Sequence, residues 1–146
     1  MDLKQIAAGD YTSITGSWIE EAHASNGHGA TGYQWKDGGT EELAITRDKI
    51  VAASGWITLQ GKTLTVGPKD HAKSSQMTSA RQGGGLEVTL ANEDVAINRA
   101  LGFYPKGTVG DSTRLDPHKG VTFDDSLDTI YLWSSAGTFD VFVPAR

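Results

Sequence analysis

A small antiparallel β-barrel of about eight strands with a short N-terminal helix is the all-β fold this sequence predicts. Three observations carry that prediction. Apolar and polar residues alternate over short runs, as in Leu86-Glu87-Val88-Thr89-Leu90, which is the period of a strand with one buried face. Eighteen glycines and only four prolines interrupt those runs without a fixed period, which fits tight turns rather than a collagen-like or low-complexity chain. Helical spacing occurs only near the N-terminus. Consecutive hairpins favour a meander, closed as a barrel, and the 146 residues read as one domain, 1–146.

In chain order, Asp2-Leu3-Lys4-Gln5-Ile6-Ala7-Ala8 suits a helix: Asp2 is a fitting N-cap, Leu3 and Ile6 share a face, and Gly9 is a natural stop. Asp10 and Ser13 favour side-chain-to-backbone turns. Ile14, Gly16 and Trp18 alternate, so they are expected on one face of the first strand, with Trp18 delivered as a plug into one end of the barrel. Residues 23–40 are the least regular, with Asn26-Gly27 and Asp37-Gly38 as turn signals around a short strand at Tyr33 and Trp35. Strands are expected at 43–45 and, after a turn at Arg47-Asp48, at 50–53. Over 57–66, a two-residue turn at Gly61-Lys62 sets Leu59 opposite Leu64 and Ile57 opposite Val66, with glycine first as a type II′ turn requires. Residues 67–85 read as polar and flexible, with a short ladder at Met77. Leu86, Val88 and Leu90 form a strand. Asn92-Glu93-Asp94 turns the chain into another, marked by Val95, Ile97, Leu101 and Phe103, interrupted by Arg99 and ended by Pro105. Residues 106–126 read as a long loop, and strands at 129–133 and 138–143 close the chain.

Composition excludes several classes. Without cysteine there is no disulfide, thiolate metal site or cysteine nucleophile. A net charge of -5 offers no basic face, so no nucleic-acid partner is expected. No run approaches the roughly 18 apolar residues of a membrane helix, and Met1-Asp2-Leu3-Lys4 carries no secretion signal.

Candidate chemistry is sparse. Gly55 to Gly61-Lys62-Thr63 has five residues between its glycines where a phosphate loop needs four, and a hairpin is expected there instead of a helix. His23 and His28, with Glu20 and Glu21 just before them, supply ligand types that zinc uses, at a spacing that matches no zinc pattern. Asp124 and Asp128 set oxygens at alternate positions like a calcium loop, but Thr129 stands where that loop needs glycine and Ser135 where it needs Glu. The expectation is solvated loop residues and an ordinary turn, with no metal and no cofactor. No Gly-x-Ser-x-Gly elbow occurs. The adjacent pairs Glu20/Glu21 and Glu41/Glu42 would point to opposite faces of a strand and read as solvated edges. No catalytic residue is assigned. Trp35, Trp56 and Trp133 are the ligand-binding candidates, because indoles stack on sugars and line apolar pockets, although at least two of the chain's four tryptophans are expected in the core.

Met1-Asp2-Leu3 with Gly9-Asp10-Tyr11-Thr12-Ser13-Ile14-Thr15-Gly16-Ser17-Trp18 resembles the opening of an uncharacterised domain, a domain of unknown function, of Gram-positive bacterial surface lipoproteins, where G-D-(Y/F)-S-S-I-x-G-x-W is typical. Ala100-Leu101-Gly102-Phe103-Tyr104-Pro105-Lys106-Gly107 is similar to that domain's a-L-x-F-x-P-x-G strand. Asp128-Thr129-Ile130-Tyr131-Leu132 and Phe139-Asp140-Val141-Phe142 resemble its last hairpin. The resemblance implies an extracytoplasmic location on the cell surface, with membrane attachment only through a lipid anchor outside this chain, and it assigns no activity to any residue. Gly16-Ser17-Trp18 after a short helix also resembles the lipocalin-like (calycin) opening. There the Trp closes one end of an up-and-down barrel, often beside a basic residue, a role open here to Arg99 or Arg146.

The expected function is therefore a non-enzymatic binding module. It would hold a small apolar ligand in a mouth lined by Trp and Phe, or present its loops to a cell-envelope component. The competing expectation is a loop-borne hydrolase or metal-binding site acting on cell-wall material. For that, a His or carboxylate pair from segment 20–28 must converge in a cleft.

Overall fold

The structure, a computed structural model, describes residues 1–26, 32–67, 73–90, 98–112, 114–115 and 123–145. The helix is α1 (Leu3–Ala7), capped by the Asp2 carboxylate, which accepts from the backbone N–H groups of Lys4 and Gln5. The strands are β1 (Gly16–Ser25), β2 (Gln34–Asp37), β3 (Glu42–Ile45), β4 (Lys49–Ala52), β5 (Ile57–Gln60), β6 (Thr63–Val66), β7 (Lys73–Gln82), β8 (Gly85–Leu90), β9 (Arg99–Tyr104), β10 (Thr129–Ser134) and β11 (Thr138–Pro144).

From β3 to β11 each strand pairs antiparallel with the next, and β1 pairs with β11 to close the sheet. β2 pairs with β1 along Ala22–Ser25 and β3 pairs with it along Gly16–Ile19. They are two halves of one position, so the molecule is a closed antiparallel barrel of ten strands where about eight were expected. The main addition is β7. The 67–85 segment was expected to be flexible, but Lys73–Gln82 is bonded to β6 on one side and β8 on the other. The 57–66 hairpin has the expected register, Ile57↔Val66 and Leu59↔Leu64, with Gly61 at φ 55 as its turn demands. The expected turn at 92–94 and the apolar positions Val95 and Ile97 lie outside the described residues.

Only the inner face of a closed barrel can bring side chains from all around it together. One buried cluster does so, with members from β1 and from β3 to β11 that include Trp18, Leu43, Ile50, Leu59, Val88 and Phe142, and it fills the interior. Leu3 and Ile6 of α1, with Tyr11 and Ile14, cap it at one end. The Gly9–Trp18 stretch fastens that cap. Tyr11 takes a backbone bond from its N–H to the Arg47 carbonyl at 2.7 Å, and its hydroxyl donates to the Gly61 carbonyl. Gly9, at φ +83, lies so close to that turn that a Cβ would stand 2.8 Å from the Gly61 carbonyl carbon. Trp18 is 3% exposed. Ile14 belongs to a 3-10 turn (Thr12–Ile14) rather than to the strand, which corrects the expected alternation. Its carbonyl accepts the Trp18 indole N–H at 2.9 Å.

A second buried layer lies on the outer face of β1, β9, β10 and β11. Tyr104, Tyr131, Phe139 and Val141 pack there beneath Leu115 and Phe123 of the connection between β9 and β10. That connection, expected as a plain loop, therefore carries part of a core. The Tyr131 ring lies over Gly102, where a Cβ would come within 1.9 Å of it. Arg114 clamps the layer: its guanidinium donates to the buried Glu87 carboxylate at 2.7 and 3.2 Å and covers the Trp133 ring at 4.0 Å.

Candidate functional site

β1 is irregular. Trp18, Ile19 and Glu20 face Pro144, Val143 and Phe142, but the register then slips so that Ala22 faces Val141 and His23 faces Asp140. This bulge leaves both Glu20 and His23 on the face that carries Trp18 and Phe142, the inner one. Opposite the bulge, residues 38–41 separate β2 from β3. Two irregularities face each other, and between them is a pocket of about 410 Å³ lined by Glu20, His23, Gly39, Thr40, Glu41 and Asp140. We call it the seam pocket.

Backbone groups and room for a side chain build it. The Glu20 side chain is only 5% exposed and its carboxylate accepts the Glu41 N–H at 3.0 Å. Gly39 makes the space: a Cβ there would stand 1.7 Å from Glu20 Oε2. His23 Nδ1 is 2.6 Å from the Gly38 carbonyl. A carbonyl only accepts, so Nδ1 carries the proton and a neutral ring has Nε2 as its acceptor. The same Nδ1 is 3.9 Å from Glu20 Oε1. Glu41 Oε1 accepts from the N–H groups of Ser54 and Glu42 at 3.1 and 3.2 Å.

Asp140 completes the cluster. Burial, then the neighbouring Glu20 carboxyl, then the charge of Glu41 push its carboxyl up to about 7, against the opposing influence of His23. Burial pulls the guanidinium of Arg99, on β9, below its ordinary value, and the charge of Asp140 opposes that shift. Its Nε is buried and makes no hydrogen bond with the described residues. Arg99 pairs with Ser134, two residues on from Leu132 of the inner cluster, so it too lies on the inner face.

Of the residues singled out in the sequence, His23 reaches this pocket and Glu20 does so with it. The reading of Glu20 as part of a solvated edge is corrected: the bulge turns it inward. His28 lies outside the described residues. Asp124 accepts from the Ser126 N–H at 3.0 Å and Asp128 from the Lys106 N–H at 2.9 Å, so both shape turns. No group of three metal-ligating side chains forms among the described residues. Trp35 and Trp133 come together in the outer layer, Trp35 against Phe123 and Phe139 and Trp133 donating its indole N–H to the Tyr33 hydroxyl at 3.2 Å. Trp56 stands apart, 52% exposed. Sequence reasoning misses Asp140 and Gly39, and its reading of Glu41 as a solvated edge is corrected with that of Glu20. The available signal was Asp140, two positions from Phe142 and so on the same face.

The fit at Gly39 is testable. Gly39→Ala forces Glu20 out of its seat, and urea titration is expected to read a loss of about 1–3 kcal/mol, as overpacking costs. Adding Glu20→Ala restores most of it. An unchanged midpoint in the single variant contradicts the seat.

Comparison of the chain with models of known protein families, with curated proteins and with solved structures finds no match.

Proposed function

We propose that this chain is a non-enzymatic binding module, an extracytoplasmic domain of a cell-envelope lipoprotein, that takes a small polar ligand in the seam pocket. One observation carries the binding part: Glu20, His23, Glu41 and Asp140 converge from separate strands and a connecting segment on one pocket, in a barrel whose interior is filled mainly by apolar side chains. Partly burying ionisable groups is costly, and strongly perturbed groups in a cleft cluster at functional sites. The lining favours a ligand that donates hydrogen bonds, such as an amine, an amide or a sugar, over a wholly apolar one. The envelope location is supported by the likeness of Gly9–Trp18 and of 100–107 to the surface-lipoprotein domain.

A thermal-shift panel of simple amines, amides, neutral sugars, fatty acids and divalent cations tests the reading. A polar member is expected to raise Tm, and Glu20→Gln to remove that shift. Stabilisation by fatty acids only, or shifts that survive Glu20→Gln, overturns it.

A second reading, a hydrolase, is favoured by the convergence of the Glu20 and Asp140 carboxyls and the His23 imidazole on one pocket. Turnover of peptide or ester wall fragments, abolished by Asp140→Asn, would favour this reading over simple binding.

A further inference from the structure

We propose that the edge of β7 over residues 78–82, with the groove between it and α1, is a peptide-docking site: it takes an extended segment of another protein, carrying apolar and acidic side chains, as an added strand. The site shares no residue with the seam pocket and does not depend on the reading of that pocket.

The barrel wall changes height at β7. β6 pairs with β7 from Val66↔Lys73 to Thr63↔Gln76 and does not extend past Thr63, whereas β8 stays paired with β7 as far as Gln82↔Gly85. The Met77 N–H makes the last bond on the β6 side, to the Lys62 carbonyl at 2.9 Å. The backbone groups of a strand alternate sides. The N–H and C=O groups of Ser79 and Arg81 therefore point as those of Met77 do, away from β8, and no backbone group among the described residues meets them. Pairing with β8 is regular along this stretch, without the bulge or the proline that blunts an exposed edge.

The interior is open beside that edge. Ser79 and Arg81 share a face with Met77, which is buried in the inner cluster, yet both are exposed. The space over them is a groove of about 320 Å³, with Leu3, Lys4 and Ala7 of α1 on one side and Ser79, Arg81 and Leu86 on the other. Leu3 and Leu86 give it an apolar floor continuous with the core. Its volume lies at the low end for ligand sites and suits a short segment. Its charge is of one sign. Lys4 and Arg81 are exposed and form no ion pair with the described residues. Among the described residues no carboxylate lines the groove: that of Asp2 caps α1, and that of Glu87, beside Leu86, is held by Arg114. In a chain of net charge -5 this lining selects a partner with carboxylates. A small amphiphile would fill the groove and leave the edge groups unmet; an extended peptide meets both. Main-chain bonds to Ser79 and Arg81 then supply affinity, and the apolar floor and the two cations choose the sequence.

Fluorescence anisotropy with a labelled peptide of alternating valine and glutamate tests this, together with amide exchange of the chain. In the free chain the Ser79 and Arg81 amides are expected to exchange fast, and the Ala80 amide, which faces β8, slowly. The peptide should bind saturably and slow Ser79 and Arg81 by about tenfold or more. Its fully N-methylated form keeps every side chain but no donor, and should not bind. Lys4→Glu combined with Arg81→Glu, both at exposed positions, should weaken binding by about tenfold or more and favour a valine–lysine peptide instead. Glu20→Gln should change none of this. Ser79 and Arg81 amides already protected in the free chain overturn the open edge, whatever covers it. No binding of the valine–glutamate peptide, equal binding of its N-methylated form, or binding unchanged by the charge reversal each overturns the docking site. A chain that takes a polar ligand at the seam pocket but not the peptide ends this inference alone, and the converse ends the seam reading alone.

Discussion

Trp18→Ala is expected to unfold with a loss of about 3–5 kcal/mol in a urea titration, the range for removing a large aromatic from a core. The indole is 3% exposed within the cluster that includes Leu3, Ile6, Ile14 and Leu43. Its N–H satisfies the Ile14 carbonyl at 2.9 Å. The substitution therefore opens a cavity and also orphans a buried carbonyl. The damage is local to the capped end, where α1, the 3-10 turn and the Gly61 turn meet through Tyr11. Trp18→Phe keeps most of the volume but lacks the N–H, so it should lose less. A loss below about 1 kcal/mol for Trp18→Ala, the scale of an ordinary surface substitution, contradicts the assignment of this residue as the plug.

Arg114→Ala is expected to cost about 3 kcal/mol, the low end for breaking a buried pair, because Arg114 itself is partly exposed. Glu87 is buried, 4% exposed. Burial pushes its carboxyl up, but Arg114, Tyr131 and Gln82 together hold it below its ordinary value. Without the guanidinium, a buried carboxylate keeps, among the described residues, the Tyr131 hydroxyl and Gln82, at 3.3 Å. The sign of the pH effect follows. A lowered carboxyl stabilises the fold above its unfolded value and loses that contribution as pH falls through the folded one. The deficit of Arg114→Ala relative to the parent should thus be full at pH 7 and shrink toward pH 4. Adding Glu87→Gln removes the stranded charge and should recover much of the loss. The seam pocket involves neither residue, so ligand binding there should survive in the folded fraction.

The parts of the fold legible in the sequence are those where one physical signal dominates. The 57–66 hairpin has strict alternation and a glycine at the position that needs φ above zero, and its register follows from those two facts. Trp18 was legible because a turn-rich approach and a strand led to one large apolar side chain. β7 was not, because its residues on the side of the buried Met77 include Ser75 and Ser79, so the period-two signal is absent. Backbone pairing to β6 and β8 makes that strand, and pairing leaves no mark in composition. The 106–126 stretch reads as a loop because its buried apolar residues among those described, Leu115 and Phe123, are isolated among polar neighbours.

The site was harder to read for a related reason. Adjacent Glu20 and Glu21 imply alternation across a regular strand, and only the bulge in β1 reverses that implication. Gly38-Gly39 carries an ordinary turn signal, while the space that Gly39 provides matters only once Glu20 is known to fill it. On β11 the neighbours Phe139, Val141 and Phe142 are all buried, because the outer layer covers the strand's second face. Apolar residues on both faces hide the inward placement of Asp140. The tryptophans drew attention by chemistry alone, and the fold assigns Trp35 and Trp133 to packing in the outer layer.

Residue-resolved NMR of the labelled chain, titrated with the amines, amides and sugars of the panel, shows whether this barrel binds at the seam pocket. Amide shifts are expected to cluster on Glu20, His23, Gly39, Thr40, Glu41 and Asp140 and to disappear in Glu20→Gln. Shifts confined to the outer layer around Trp35 and Trp133, or to Trp56, with the seam unmoved, would contradict binding there.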